Sequence, residues 1–133
     1  MKKIFVAMLL ALGLFGGNAL AQDYAEKGYR ELKGEELKAM LSGNTEESST
    51  GSFYFHDVDG TFRGKSGQSG RFNQGEWWMN EEGRVCRNWI GNKYVPRGCS
   101  KIYMDDKTGD IQWYDTDGKW YGTKFHQGNV KGY

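Results

Sequence analysis

The sequence predicts a mainly β protein: an antiparallel meander, either a small barrel or a strongly curved sheet, with one short N-terminal amphipathic helix. Two observations lead to this prediction. After Gly51 the chain reads as short runs rich in aromatic residues, separated by Gly, Asp and Asn at nearly regular spacing, which is typical of consecutive strands and turns. Before Gly51, one segment repeats its apolar residues with the period of a helix.

The first residues, 1–21, have the pattern of a secretory signal peptide. Two lysines precede an uncharged apolar run from Ile4 to Phe15, and a small-x-small cleavage site ends at Ala21. A membrane anchor is the alternative, but the apolar run is shorter than the roughly 20 residues that cross a bilayer. We therefore predict cleavage after Ala21, export to the periplasm or the medium, and no membrane span in the mature chain.

Residues 22–133 are predicted to form a single all-β domain with the N-terminal helix, because their number suits one domain. The 18 Lys and Arg residues nearly balance the 17 Asp and Glu residues, and no basic stripe is visible. Nucleic-acid binding depends on neutralising phosphates, so it is not expected. An aromatic content of 15% argues against a disordered chain.

The helix is predicted in the segment that starts at Glu31. Its apolar residues fall near one helical face, and Gly43 follows them as a C-cap glycine does. These apolar residues are Leu32, Leu37, Met40 and Leu41. A short helix must bury such a stripe against another element, and we expect the sheet to receive it. The polar residues 44–52 are predicted as a loop within the domain.

Seven strands are predicted after this loop. Tight turns join most of them, and longer loops are expected at 64–75, which is rich in Gly and Ser, and at 91–98, which carries the only proline. The predicted strands are 52–56, 61–65, 76–80, 84–90, 99–104, 111–115 and 119–125.

The two cysteines, Cys86 and Cys99, are predicted to form a disulfide, as an even number does in an exported protein. A metal pair or a catalytic thiol is the alternative, but neither histidine lies near them and there is no C-x-x-C. The bond would join consecutive strands around Pro96, and closing so short a loop stabilises a fold by at most about 3 kcal/mol.

A repeated stretch, HDVDGTFRG at 56–64 and YDTDGKWYG at 114–122, raises the question of calcium. Asp followed by Gly between aromatic strands predicts a hairpin turn. A calcium loop needs roughly six to eight oxygen ligands, and here cationic and aromatic residues follow each glycine. The turn is the preferred interpretation. A calcium-stabilised β module remains an alternative, with Asp57, Asp59, Asp115 and Asp117 as its ligands.

No catalytic set can be assembled from the sequence, and no cofactor is predicted. His56 and Asp57 are adjacent, so on a strand they point to opposite faces and cannot act as members of a triad. Most acidic residues fall in turns, and the sequence cannot place two of them at the separation that a glycosidase uses. The sequence leans away from an enzyme, and a hydrolase that acts on envelope polymers through carboxylates stays open as an alternative.

The aromatic residues suggest a binding function. One side of the paired strands, with Phe53, Phe55, Ile111 and Trp113, is apolar and expected in the core. The other side is amphipathic, and a neighbouring element covering it is the plainer interpretation. The sharper one is a ligand surface, since Tyr and Trp combine contact area with a polar group. Its candidate residues are Tyr54, His56, Trp78 and Tyr114. We predict a non-catalytic binding or accessory protein for a small apolar ligand, a glycan or an envelope protein.

Short motifs along most of the chain resemble one known family. They are LSGNT at Leu41–Thr45, Y-F-x-x-x-D-G-T-F-R-G at Tyr54–Gly64, G-x-W at Gly75–Trp77, E-G-R-V-C-R-N-W at Glu82–Trp89, Cys99, and Q-G-N at Gln127–Asn129. This pattern resembles the small exported bacterial proteins known as domain of unknown function 995. The Gly/Ser-rich loop before Gly75 departs from it. The resemblance implies a bacterial periplasmic or secreted protein with a disulfide, and it implies no activity.

Overall fold

The structure is a computed structural model that describes residues 24–93 and 95–133. The predicted signal peptide, 1–21, lies outside the described residues. A helical turn at 24–26 is followed by ten strands and the helix α1, Gly34–Leu41. The strands are β1 (Arg30–Leu32), β2 (Asn44–Ser48), β3 (Phe53–His56), β4 (Thr61–Lys65), β5 (Phe72–Met79), β6 (Val85–Ile90), β7 (Gly98–Cys99), β8 (Lys101–Met104), β9 (Ile111–Tyr114) and β10 (Trp120–Gln127).

All ten strands belong to one antiparallel sheet that curls into a half-barrel. Their order is β1-β8-β9-β10-β2-β3-β4-β5-β6-β7, so the prediction of a mainly β antiparallel fold is confirmed. Only Ser100 separates β7, at one end of this order, from β8, near the other, and its N–H donates to the carbonyl of Val85 at 2.8 Å. The two ends of the sheet therefore meet at Ser100. None of the described helices has the length and apolar character needed to cross a bilayer.

The disulfide fixes this junction. Cys86 on β6 lies directly opposite Cys99 on β7, and the two sulfurs are bonded. The predicted pairing of consecutive strands around Pro96 is confirmed. Because β7 continues into β8, the bond ties the β6–β7 pair at one end of the sheet to β8, the second strand from the other end.

The helix begins later than the sequence suggested. Leu32 belongs to β1 and lies opposite Ile102 of β8, and α1 starts only at Gly34, after an extended Lys33. Leu37 and Leu41 of α1 are fully buried and belong to the same core cluster as Leu32 and Ile102. The helix therefore packs against the concave face of the sheet.

The predicted loop at 44–52 is wrong in its first half. Residues Asn44–Ser48 form β2, a central strand between β10 and β3. Thr45 is fully buried, and its hydroxyl donates to the carbonyl of Gly128 at 2.6 Å. Thr45, Glu46 and Glu47 obtain their partners from distant parts of the chain, so the polar composition of this strand resembles that of a loop.

The Gly/Ser-rich loop is also shorter than predicted. Strand β4 continues to Lys65 and β5 begins at Phe72, so only residues 66–71 connect them. The N–H of Ser66 donates to the carbonyl of Arg71 at 2.9 Å, which closes this connection as a hairpin turn.

The predicted assignment of faces is wrong for β3. Tyr54 and His56 point into the core, 7% and 0% exposed, together with Ile111 and Trp113 of β9. Alternation along the strand places Phe53 and Phe55 on the convex face. There the ammonium group of Lys131 lies 4.3 Å from the centre of the Phe53 ring. Both faces of β3 are aromatic, so composition alone could not identify the inner one.

Candidate ligand cavity

A cavity of about 520 Å³ lies in the concave face of the half-barrel. Polar, aromatic and charged side chains line it, together with Val95. Side chains with hydroxyl and amide groups are the most numerous, with Ser48, Thr50, Ser52, Asn73, Asn92 and Thr123 among them. Aromatic rings come from Tyr54, Trp89 and Trp113, and charged groups from Glu46, Arg87 and Asp115.

Three strands bring the charged groups together. Glu46 lies on β2, Arg87 on β6, and Asp115 follows β9. Arg87 donates from Nη1 to Glu46 Oε2 and from Nη2 to Asp115 Oδ2, each at 3.0 Å. Ser100, at the junction of the sheet ends, donates from its hydroxyl to Asp115 Oδ1 at 3.2 Å. The network therefore links β2, β6 and β9 through one guanidinium.

Aromatic rings surround this guanidinium. Its carbon lies 4.5 Å from the ring centre of Trp113, 5.1 Å from that of Trp89 and 5.6 Å from that of Phe62. Cation–π contacts of this kind contribute up to about 2 kcal/mol when they are desolvated. Burial opposes the charge of Arg87, but the carboxylates of Glu46 and Asp115 outweigh it and raise the Arg87 pKa. Arg87 is therefore a charged residue in the core.

Glu46 is the group of this network that can change its charge near neutral pH. Burial raises the pKa of Glu46 to about 7; the charge of Arg87 opposes the rise and that of Asp115 adds to it. With one cation facing two carboxylates, a proton on the more deeply buried carboxyl lowers the electrostatic cost. The network therefore takes up or releases one proton at Glu46.

His56 lies behind the network and stays neutral. Burial, and then the charge of Arg87, lower its pKa well below the ordinary value. Its Nε2 is 3.7 Å from Glu46 Oε2, too long for a hydrogen bond. Its ring stacks on Phe62 and meets Trp77 edge-on, with centroid distances of 5.9 and 5.6 Å. In this structure His56 is a core residue and does not line the cavity.

The four residues predicted to bind a ligand do not share one surface. Tyr54 lines the cavity, where its hydroxyl accepts from Asn73 Nδ2 at 3.3 Å. Trp78, next to the inward Trp77, faces the convex side. There the guanidinium carbon of Arg97 lies 4.7 Å from the Trp78 ring centre.

Tyr114, the fourth of these residues, is also outside the cavity. Its neighbour Trp113 points inward, so Tyr114 lies on the convex side of β9. There its ring centre is 4.9 Å from that of Trp120. The structure thus brings Tyr54 and His56 to the inner face and leaves Trp78 and Tyr114 on the outer one.

The repeated D-x-D-G stretch forms the same hairpin turn twice. In the first copy the N–H of Asp57 donates to the carbonyl of Thr61 at 2.8 Å, and Asp59 Oδ1 accepts from the N–H of Thr61 at 2.9 Å. In the second, Asp115 donates to the carbonyl of Lys119 at 3.0 Å, and Asp117 Oδ1 accepts from the N–H of Lys119 at 2.9 Å. The glycines have φ of +90° and +78°, which requires glycine. The turn interpretation accounts for both copies.

The calcium alternative gains no ligand cluster from this geometry. Asp57 Oδ2 accepts from Arg63 Nη1 at 3.1 Å, and Asp115 binds Arg87 and Ser100. Within residues 24–93 and 95–133, no three His, Cys, Asp or Glu side chains are placed to hold a metal ion. The aspartates instead form the hydrogen bonds of the turns, and Asp115 also forms an ion pair with Arg87 in the buried network.

Sequence reasoning did not identify Glu46, Arg87 or the aromatic rings around them as a site. The sequence contained one indication of a buried charge. One face of β6 carries Val85, Arg87 and Trp89, so a cation lies between two apolar residues on that face. Glu46 gave no such signal, because it lies in a polar stretch without alternation. Only the fold shows that these residues meet.

Comparison with known proteins supplies a family but no activity. No curated protein and no solved structure matches the chain. One family model matches residues 8–131, nearly the whole chain, and its description is that of a protein of unknown function, DUF995. The resemblance found in the sequence motifs is thereby confirmed, and the chain belongs to the DUF995 family.

Proposed function

We propose that the protein binds a small, nearly neutral polar ligand of carbohydrate type in the cavity of the half-barrel, without a catalytic step. The observation that carries this proposal is the lining, in which aromatic rings adjoin a wall of hydroxyl and amide groups. A sugar presents C–H faces to rings and hydroxyls to such a wall. Ser48 and Thr50 bond each other at 2.7 Å and Thr123 donates to the carbonyl of Tyr121, but hydroxyl and amide groups can make more than one bond. A purely apolar ligand would leave this remaining hydrogen-bonding capacity of the wall unused, which a sugar would not.

The charges of the cavity favour a nearly neutral ligand. Arg87 already binds two carboxylates at 3.0 Å, so its charge is compensated inside the protein. Of the remaining lining residues, Arg71 and Asp117 have opposite charges. The volume lies within the range of roughly 300–1,000 Å³ that small-molecule sites occupy.

Calorimetry with a panel of ligands tests the proposal. The panel contains neutral disaccharides, a sugar acid and a twelve-carbon fatty acid, and each is titrated into the purified protein. We expect the neutral sugars to bind best. Asn73→Ala, which removes a cavity amide, should weaken binding about tenfold, the effect of roughly one hydrogen bond. Gln74→Ala, its exposed neighbour on the opposite face, should not. Preferred binding of the fatty acid, or equal effects of the two variants, would contradict the proposal.

A hydrolase that acts on envelope polymers is the second candidate. Glu46 and Asp115 both line the cavity, and burial raises the pKa of Glu46 to about 7, a value that suits a general acid. Both carboxylates, however, are held by Arg87, which is why binding is preferred. Release of reducing ends from glycan polymers by the wild type, lost in Glu46→Gln and kept in the control Glu47→Gln, would support the hydrolase. No release by the wild type would exclude it for those polymers.

We also propose that the protein is exported to the periplasm or the medium, where it meets its ligand or an envelope partner. The pattern of residues 1–21 supports this, and so does the disulfide between Cys86 and Cys99, since such bonds persist in oxidising compartments. Mass spectrometry of protein purified from its host should find a chain that starts at Gln22, with the mass deficit of one disulfide. A full-length, reduced chain in the cytosol would contradict export.

A further inference from the structure

A second surface, the basic groove, adjoins the cavity. Arg71, Phe72, Ile90, Pro96 and Arg97 line it, and its volume is about 750 Å³. It lies where β5 begins and β6 ends, so it occupies the rim of the half-barrel at one end of these strands. Asn73 and Trp89 line both the groove and the cavity, so the two spaces are neighbours.

Two large apolar side chains project from the groove. Phe72 and Ile90 are each 55% exposed, which places them among the few large apolar side chains that the described part of the chain leaves in water. Scattered exposed residues of this kind are common. Here they stand beside cations, which is the arrangement of side chains that insert into a bilayer interface.

The groove is basic because the two segments of the chain that form it contain no acidic residues. The sequence contains no Asp or Glu in 60–75 or in 83–104, and no acidic side chain occurs among the described residues that line the groove. The nearest acid along β5 is Glu76, which lies opposite Asn88 of β6. Arg71 and Arg97 are both exposed and can reach phosphate groups.

We infer that the basic groove docks on an anionic lipid bilayer, with Phe72 and Ile90 in the interface and Arg71 and Arg97 against lipid phosphates. Each basic residue held near an anionic surface strengthens attachment about fivefold, and each apolar side chain adds to it by leaving water. An acidic protein segment fits less well, because charge attraction alone would not use the two exposed apolar side chains beside the cations.

Vesicle flotation tests this inference independently of any cavity ligand. The purified protein is mixed with phosphatidylcholine vesicles with and without phosphatidylglycerol, at low and physiological salt. We expect binding only to the anionic vesicles, weakened by salt. Arg97→Glu should reduce the bound fraction about tenfold or more, because reversal removes one attraction and adds one repulsion. Phe72→Ser/Ile90→Ser should reduce it comparably without changing net charge.

The control is Lys107→Glu, an equal charge reversal in the exposed turn between β8 and β9, which should leave vesicle binding nearly unchanged. Because Arg97 also contacts Trp78, thermal unfolding of each variant verifies the fold, and Arg97→Gln serves as a milder second variant. Equal binding to both vesicle types, or an equal loss in Lys107→Glu, would overturn the inference. So would capture by immobilised polyglutamate without vesicle binding, which would assign the groove to an acidic protein segment.

Discussion

Replacement of Arg87 by Met should strongly destabilise the fold. Methionine keeps a long apolar stem against Trp113 but removes the cation that Glu46 and Asp115 share. Arg87 and Glu46 are 3% and 5% exposed, and removal of one partner of such a buried pair costs about 3–5 kcal/mol. Domains of this size have a total stability of only about 5–15 kcal/mol. We therefore expect Arg87→Met to lose a large share of the free energy of unfolding.

The loss should depend on pH, and its sign follows from Glu46. Because the folded-state pKa of Glu46 is raised from 4.5 to about 7, its contribution to stability is complete below its unfolded pKa and is lost as pH rises through the folded pKa. In the wild type, the charge of Arg87 opposes the rise in the pKa of Glu46. Without Arg87 this opposition is lost, so ionisation of Glu46 costs more. The effect of Arg87→Met on the free energy of unfolding should be larger at about pH 8 than at about pH 5.5.

Urea denaturation followed by tryptophan fluorescence, at both pH values, measures this effect. The variant Glu46→Gln in the Arg87→Met background should recover about 1–3 kcal/mol at the higher pH and little at the lower one. A loss below about 1 kcal/mol at both pH values would refute the reasoning. So would a loss that does not change with pH, because the unpaired carboxyl would then not be the cause.

Three further predictions concern the packing around this network. Because the pKa of His56 lies well below 6.5, its contribution to stability is present above pH 6.5 and is lost as pH falls. His56→Phe should therefore lose less free energy of unfolding than the wild type between about pH 7 and about pH 5, measured in urea; an equal or steeper acid loss would contradict this. Serine at both positions of the Cys86–Cys99 pair, 13 residues apart, should cost about 3 kcal/mol relative to the oxidised wild type, measured by thermal unfolding of both proteins. Equal melting temperatures of the variant and the oxidised wild type would contradict the estimate. Gly64→Ala would place a Cβ 1.9 Å from the carbonyl oxygen of Phe53 and should cost at least about 2 kcal/mol. At the equivalent position of the repeat, Gly122→Ala would place a Cβ 3.6 Å from its nearest neighbour and should cost less than about 1 kcal/mol. Equal melting temperatures of the two variants would exclude the steric explanation.

The local features of this protein could be predicted from its sequence. The turns at Asp57–Gly60 and Asp115–Gly118 depend on hydrogen bonds between residues two to four positions apart, so the residues that specify them are adjacent in the chain. The same holds for most strands after Gly51 and for the disulfide, since only two cysteines exist. The start of α1 was less predictable, because Leu32 fits the helical period but pairs with β8.

The candidate site depended on contacts that no local pattern contains. Glu46 is 41 residues from Arg87, and Arg87 is 28 from Asp115. The prediction of the inner face of β3 is wrong for the same reason. Tyr54 and His56 are buried by the residues that the curled sheet places opposite them, while the convex face is partly covered by the C-terminal segment. The sequence by itself determined turns, strands and the cysteine pair, because adjacent residues specify them. Only the tertiary structure decided which face is inside and which charges meet there, because burial is set by partners far apart in the chain.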